Sequence, residues 1–187
     1  MSQPLPEVVS HILEEIKSSL LQVDSSKLEA LLTLLESSPR TFVTGEGRSG
    51  LVMRMFAMRL THLGRPAFVV GDVTTPAIGA GDLLVVCSGS GETTIPCLRA
   101  QRSRNLGAQV IAIGGRDRST LLQQAHLSIL LTPPADPDQS QRQRTIQFGG
   151  SRFEQSAFLF CDTVAWLAMQ RWQIDPATMQ ARHANLE

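Results

Sequence analysis

Apolar residues recur at helical spacing along the first part of the chain, and this periodicity predicts two amphipathic helices. The apolar positions of the first helix are Val9, Ile12, Leu13, Ile16 and Leu20. Those of the second helix are Leu28, Leu31, Leu32 and Leu35. Ser26 and Glu29 have the spacing of a capping box at the start of the second helix, and Pro39 marks its end. The chain therefore begins with a predicted helical pair over residues 1–38.

Beyond the helical pair, short apolar runs alternate with longer helical patterns. Several runs, such as DLLVVC and AQVIAIG, are continuously apolar, which is typical of strands covered on both faces. The predicted strands are 41–44, 66–70, 82–87, 108–114 and 127–131. The predicted helices are 49–63, 93–106, 119–125 and 153–172. This alternation predicts crossover connections, and hence an α/β fold: a three-layer α/β/α sandwich with a five-stranded parallel, flavodoxin-like sheet plus N-terminal helices.

Residues 132–152 interrupt the alternation with a long polar stretch that is rich in proline and glutamine. Long connections of this kind are often functional or mobile, so a surface loop and a part of the site both stay open as interpretations. In the tail, over 173–187, Asp175 and Pro176 can start one more short helix. The length of 187 residues favours a single domain over the whole chain.

Charge and composition argue against several classes of function. Basic and acidic residues number 17 each, tyrosine is absent and aromatic residues are few, so we expect no nucleic-acid partner. The N-terminus lacks a signal-peptide pattern and no long apolar run is present, so we expect no membrane association. Three scattered cysteines fit a reducing, cytoplasmic location. Histidines and cysteines do not cluster, so we expect no metal site.

The segment TGEGRSGLV follows the first predicted strand and contains Gly45, Gly47 and Gly50 in the spacing G-x-G-x-x-G. This spacing is the outline of a dinucleotide-binding loop. Asp72 lies 22 residues past Gly50, about where a ribose-binding acid would be found. A nicotinamide enzyme is therefore one hypothesis, and a tight turn from strand to helix is the alternative.

A second glycine-rich loop, SGSGET, follows the third predicted strand. It places the hydroxyls of Ser88, Ser90 and Thr93 beside Gly89 and Gly91, directly before a predicted helix. Glycine permits close approach of a ligand, hydroxyls donate to phosphate oxygens, and a helix start offers free N–H groups. The structural alternative is a turn with one capping serine, but three hydroxyls exceed what a cap needs. We therefore expect a monophosphate cradle, and a nicotinamide enzyme would leave this loop without a role.

Several segments together resemble the sugar isomerase (SIS) domain family, namely GEGRSG, CSGSGET, the helix start FEQ and the C-terminal RHANLE. Within that family, GRSGLV, FAMRLTHLG, TPAI and GDLL are most similar to the 6-phospho-3-hexuloisomerase branch. The resemblance implies a phosphosugar ligand and the isomerisation of 3-hexulose 6-phosphate to fructose 6-phosphate through an enediol, without a cofactor. The substrate-binding residues that it implies are Ser49, Ser88, Gly89, Ser90, Gly91, Glu92 and Thr93.

The same resemblance implies further residues outside the second loop. Glu154 would be the catalytic base and His62 would assist ring opening or proton transfer, while Arg48 and His183 would bind substrate. Each also has a structural interpretation, because Glu154 at a helix start and His62 near a helix end both interact favourably with the helix dipole. A histidine in the tail, such as His183, can be merely solvated, or it can close over a site in a neighbouring subunit.

Two stretches depart from the family's pattern. A small residue is usual where Glu46 stands, and a carboxylate beside a phosphate loop disfavours anion binding unless it points away or pairs with Arg48. The segment 147–154, QFGGSRFE, lacks the usual proline and methionine. Arg152 in this segment can reach the substrate, or it can pair with Glu154 and lower the pKa of that base.

The family further implies a homodimer or homotetramer, with the N-terminal helices and the tail in the contacts, and functional coupling to hexulose-phosphate synthase. The apolar first helix can pack at such a contact or against its own sheet, and the sequence does not distinguish the two. A phosphosugar sensor without catalysis stays open as a second hypothesis, because SIS domains also serve that role. An isomerase of a different ketose phosphate is a further alternative.

Overall fold

A single sheet forms the centre of the fold in the computed structural model, which describes residues 4–132 and 145–186. The strands within these residues are β1 (Thr41–Gly45), β2 (Ala67–Val69), β3 (Leu83–Ser88), β4 (Gln109–Gly114) and β5 (Leu127–Leu130). Neighbouring strands are parallel, in the order β2-β1-β3-β4-β5. The predicted flavodoxin-like sheet is confirmed. The strand order reverses between β1 and β3, because β2 lies on one side of this pair and β4 and β5 lie on the other. Sheets of this kind bind ligands at the carboxyl ends of the two strands where the order reverses.

Helices precede, connect and follow the strands, largely where the sequence predicts them. The helices within the described residues are α1 (Leu5–Leu20), α2 (Ser25–Ser37), α3 (Gly47–His62), α4 (Thr94–Asn105), α5 (Thr120–Gln124), α6 (Ser151–Arg171) and α7 (Pro176–Ala181). Both α3 and α6 begin two residues earlier than predicted. Most of the polar stretch 132–152, at 133–144, lies outside the described residues.

Alternate residues of each strand face opposite layers of helices. Val43, Val85 and Ile111 pack in one core with α2, α3 and α6. Leu84 and Val110 pack in a second core with α4 and α5. Both faces of the sheet are therefore buried, which explains why the predicted strands are continuously apolar. The predicted three-layer α/β/α arrangement is confirmed.

Helix α1 packs chiefly against α6 rather than against the sheet. Its buried residues are Ile16 and Ser19, whereas Leu5, Val9 and Leu13 are exposed. The pattern that predicts the helix therefore leaves an apolar stripe on the surface of the chain.

The start of α2 corrects the predicted capping box. The N-cap is Asp24, whose carboxylate accepts hydrogen bonds from the Ser26 amide and the Ser26 hydroxyl, both at 2.7 Å. Glu29 does not reach back to the helix start but pairs with Arg171 of α6. The capping-box prediction is wrong because Asp24 already provides the acceptor that the first free N–H groups need.

Close packing of α3 against the sheet accounts for two glycines of the first loop. A Cβ on Gly50 would lie 2.7 Å from the Gly45 carbonyl oxygen, and a Cβ on Gly45 would lie 2.9 Å from the Cys87 carbonyl oxygen. Any side chain at either position would therefore push the first turn of α3 away from β1 and β3. This packing explains both glycines without a dinucleotide.

Candidate active site

A cavity of about 480 Å³ lies at the carboxyl ends of the central strands, beside the start of α6. We call it the strand-end cavity. Residues from five separate segments line it, among them Ser49, Ser90, Arg116, Thr132 and Glu154. The cavity therefore joins the first glycine loop, the SGSGET loop and the first turn of α6, which are distant in sequence.

The hydroxyls of the SGSGET loop converge on Thr93. Its Oγ1 lies 3.2 Å from the Ser88 Oγ and 3.4 Å from the Ser90 Oγ. Thr93 is the N-cap residue of α4, yet its side chain makes no capping hydrogen bond. The Ser88 hydroxyl accepts a hydrogen bond from the Gly91 amide and the Ser90 hydroxyl accepts one from the Glu92 amide, both at 3.2 Å. The two serines therefore stabilise the turn, as the alternative interpretation expects, whereas Thr93 does not cap the helix. Of the three hydroxyl residues, Ser90 lines the strand-end cavity, and Gly89 lines it as well.

The Phe153 ring of α6 packs closely against two glycines that line the cavity. A Cβ on Gly89 would lie 2.9 Å from the Phe153 ring, and a Cβ on Gly115 would lie 3.0 Å from the same ring. The ring therefore rests directly on two backbone segments that lack side chains. Because Glu154 follows Phe153 in the chain, this contact determines how the first turn of α6 approaches the cavity.

Glu154 forms an ion pair with Arg48, whose Nε donates to the Glu154 Oε2. The Glu154 side chain is only 18% exposed, whereas that of Arg48 is 61% exposed. Arg48 is thus the cation that pairs with the predicted base, in place of Arg152, which is nearer in sequence. Glu46, which the sequence analysis considered as a partner of Arg48, instead pairs with Arg99 at 2.8 Å.

Cys87, in β3, is a buried thiol whose pKa is affected by the charge of the predicted base. Burial, together with the negative charge of Glu154, raises the pKa of the Cys87 thiol to about 12, although a hydrogen bond with the Ser49 side chain acts in the opposite direction. Cys87 is therefore a neutral thiol at physiological pH and does not act as a nucleophile.

Two carboxylates that the sequence places near the loops are engaged elsewhere. Glu92 accepts hydrogen bonds from the Thr120 amide at 2.9 Å and the Thr120 hydroxyl at 2.7 Å, and these bonds lower the Glu92 pKa. The Glu92 carboxylate therefore binds the first residue of α5, and Glu92 does not line the strand-end cavity. Asp72, the acid of the dinucleotide hypothesis, pairs with Arg54 at 2.7 Å.

His62 and His183 lie at the opposite end of α3 from Arg48. Their rings stack with centroids 5.0 Å apart, and the Arg182 guanidinium donates to the His62 carbonyl oxygen at 3.1 Å. His62 is the last residue of α3 and is buried, and this burial lowers its pKa, with further lowering by His183 and Arg59. At 1.5 Å per residue, His62 lies about 21 Å along the helix axis from Arg48. Within one chain, therefore, the two histidines and Glu154 do not meet.

Arg116 is a cavity residue that the sequence analysis missed. It follows Gly114 and Gly115 at the end of β4. That glycine pair, directly after a buried strand, is the signal that could have found it, because the carboxyl ends of parallel strands meet at one edge.

Among residues 4–132 and 145–186, no group of three histidine, cysteine, aspartate or glutamate side chains is arranged to hold a metal ion. None of the helices described for this chain is both long enough and apolar enough to span a bilayer.

Residues 34–146 match the SIS domain family. The chain belongs to the SIS domain family. Among similar SIS proteins, 3-hexulose-6-phosphate isomerase of Bacillus subtilis is 39% identical over 97% of this chain and 98% of its own length. The protein of the same name from Mycobacterium gastri is 36% identical over 96% of this chain and 89% of its own. The family prediction and its closeness to the hexuloisomerase branch are therefore confirmed.

A solved SIS structure supports the same conclusion. A hypothetical protein of Methanococcus jannaschii superimposes with a TM-score of 0.81 at 32% identity, over 96% of this chain and 97% of its own. Its crystal structure was described as inferring a molecular function of 3-hexulose-6-phosphate isomerase.

Proposed function

We propose that this protein is a phosphosugar isomerase that converts 3-hexulose 6-phosphate to fructose 6-phosphate. The observation that carries the proposal is the placement of one carboxylate, Glu154, in the same cavity as the SGSGET loop. A phosphate on the hydroxyl loop would hold one end of an open-chain sugar, so that its carbons extend towards that carboxylate. The relatives named 3-hexulose-6-phosphate isomerase match this chain over nearly its whole length.

The reaction moves a carbonyl group from C3 to C2. In the proposed mechanism the Glu154 carboxylate removes the proton from C2, and the electron pair forms a C2–C3 double bond while the C3 carbonyl oxygen takes up negative charge. The proton of the C2 hydroxyl passes to that neighbouring oxygen of the cis-enediolate, so O3 becomes a hydroxyl and O2 carries the charge. The C2 carbonyl then forms as the Glu154 carboxylic acid returns its proton to C3, so that one proton has moved from C2 to C3 and one from O2 to O3, and Glu154 acts as both general base and general acid. Arg48 would orient the carboxylate, and Ser49 with Ser90 and Thr93 would hold the phosphate.

We further propose that the His62–His183 stack serves the site of a second copy of the chain. The exposed apolar residues Leu51, Met55 and Met58 form a stripe along α3. Two α3 helices that pack antiparallel through this stripe would bring the histidine end of one helix to the Arg48 end of the other. A homodimer, or a homotetramer built from two such dimers, would complete the site that one chain leaves divided.

Mixing two inactive variants tests this shared site. We expect Glu154→Gln and His183→Asn to be impaired separately. After subunit exchange, an equimolar mixture should regain about one quarter of wild-type activity, because about half of its dimers are mixed and each mixed dimer has one of its two sites intact. The measurement is turnover after subunit exchange, with oligomer size followed by light scattering. His183 is exposed, so its substitution should not prevent folding.

The matched control mixes Glu154→Gln with a chain that carries both substitutions, and this pair should not recover activity. Mixed dimers that form without any recovery would contradict the sharing of the site between subunits.

A coupled assay tests the proposed reaction itself. Purified hexulose-phosphate synthase generates 3-hexulose 6-phosphate from ribulose 5-phosphate and formaldehyde, and fructose 6-phosphate is followed as NADPH through glucose-6-phosphate isomerase and dehydrogenase. We expect turnover without any added metal or cofactor. Absence of turnover, together with a melting temperature that fructose 6-phosphate still raises, would instead favour a phosphosugar sensor or an isomerase of another ketose phosphate.

The proposal has three further parts. The substrate is the product of hexulose-phosphate synthase, so we propose that the two proteins are functionally coupled. Cys87, Cys97 and Cys161 are all free thiols, which supports a reducing, cytoplasmic location. We also propose that the whole chain, 1–187, forms a single SIS domain.

A further inference from the structure

Glu15 of α1 makes a concentrated set of contacts with the segment that precedes α6. Its carboxylate accepts hydrogen bonds from the Thr145 hydroxyl at 2.7 Å, the Ile146 amide at 2.9 Å and the Gln147 side-chain amide at 2.9 Å. These contacts span about 130 residues of sequence, and no pattern in the sequence indicates them. A single carboxylate thus holds three consecutive residues of this segment.

The segment that Glu15 holds forms one wall of the strand-end cavity. Thr145, Gly149 and Gly150 all line the cavity. The Gly150 carbonyl oxygen accepts the hydrogen bond from the Glu154 amide at 3.1 Å, so this residue opens the first turn of α6. A shift of the segment would therefore move the cavity wall and the start of the helix that carries the proposed base.

The carboxylate is itself held in a fixed place and charge state. The neighbouring Ile16 is buried where α1 packs on α6. Burial alone would raise the Glu15 pKa, but hydrogen bonds from Gln147, Thr145 and Ile146 outweigh it, and with the charge of Arg152 they lower the pKa. Glu15 is therefore an anion at neutral pH, and hydrogen bonds to an anion are the strong ones.

We infer that Glu15 is a positioning residue for catalysis, which acts through the segment 145–150 on the placement of Glu154. This inference rests on the proposed function. It assigns to the N-terminal helix a role in turnover, in addition to any role in subunit contacts. Glu15 does not line the strand-end cavity, so its effect on the reaction is indirect.

The test compares Glu15→Gln with Glu14→Gln, a matched control on the same helix whose carboxylate is exposed and lies near Lys17. Glutamine keeps the length of the side chain but offers only one oxygen to the three donors. We expect Glu15→Gln to lower kcat about tenfold, as expected for the loss of one hydrogen bond to a charged group. We expect KM to change less than about twofold, because the SGSGET loop is untouched.

If Glu15 had only a structural role, Glu15→Gln would lower the melting temperature but would not lower kcat while leaving KM nearly unchanged. Glu15→Asp provides a further check, because it keeps the charge, and should recover part of the lost kcat. Both kcat values are measured at a temperature well below the melting temperatures of the two variants. A kcat for Glu15→Gln equal to that of Glu14→Gln would overturn the inference.

Failure of the proposed function can be distinguished from failure of this inference. If the wild-type protein does not isomerise the substrate, hydrogen exchange over residues 145–154 replaces kcat as the measurement. Faster exchange in Glu15→Gln alone would support the positioning of this segment by Glu15. Equal exchange in the two variants would overturn it.

Discussion

Replacing Glu154 with glutamine is expected to lower kcat by about 10²- to 10⁴-fold, the usual contribution of a positioned general base. Glutamine has the same shape as glutamate and its amide oxygen can still accept from the Arg48 guanidinium, so the first turn of α6 should stay in place. It cannot remove a proton from C2. The measurement is kcat in the coupled assay, together with the shift in melting temperature that fructose 6-phosphate produces, which should match the wild-type shift.

Glu46→Gln is the matched control for this prediction. Glu46 is also a glutamate beside the first glycine loop and is also paired with an arginine, Arg99, but it does not line the strand-end cavity. Its substitution should change kcat by less than about threefold, because surface ion pairs contribute little. Full kcat in Glu154→Gln would show that another group removes the proton.

The second large effect is expected at the SGSGET loop. In the double variant Ser90→Ala, Thr93→Val the Kd for fructose 6-phosphate should rise by about 10²-fold or more, because each lost hydrogen bond to a charged phosphate contributes about 1.5–3 kcal/mol. The Ser88 and Ser90 hydroxyls both lie within 3.4 Å of the Thr93 hydroxyl. Replacing Ser90 and Thr93 therefore disrupts the whole cluster of three hydroxyls. Isothermal titration calorimetry measures the change directly.

Thr120→Val is the control for the loop variant. This variant also removes a hydroxyl near the loop. That hydroxyl donates to Glu92 and does not belong to the cluster formed by Ser88, Ser90 and Thr93. The Kd of this variant for fructose 6-phosphate should stay within about twofold of the wild-type value, since the Thr120 hydroxyl bonds to the exposed Glu92 carboxylate and not to the proposed phosphate position. A loop variant that binds as tightly as the wild type would place the phosphate elsewhere.

The sheet could be predicted from the sequence because the signals for its strands are local. Continuous apolar runs such as LLVVC predict strands buried on both faces, and the helical spacing around them predicts the crossover helices. The two glycine-rich loops were recognised for the same reason, since each is a short segment at a strand end. The capping box at Ser26 failed although it too was a local pattern, because Asp24 competes for the same helix start.

The candidate site was predicted only in part. Motifs identified Glu154 and the SGSGET loop, but not their neighbours: the pairing of Arg48 with Glu154 joins residues 106 positions apart. Glu92 belongs to a recognised motif, yet its carboxylate is turned to Thr120. A motif gives the identity of a residue, whereas the direction of its side chain depends on the packing around it.

By itself, the sequence determined the α/β class, the parallel sheet, the two loops and the membership of the SIS domain family. Only the tertiary structure decided that Arg48 faces Glu154, that Glu15 holds the segment before α6, and that His62 stacks on His183 far from both. The physical reason is the range of the interactions. Periodicity and turn chemistry act over a few residues, whereas these contacts arise when helices pack on a common sheet and bring distant side chains within hydrogen-bond distance.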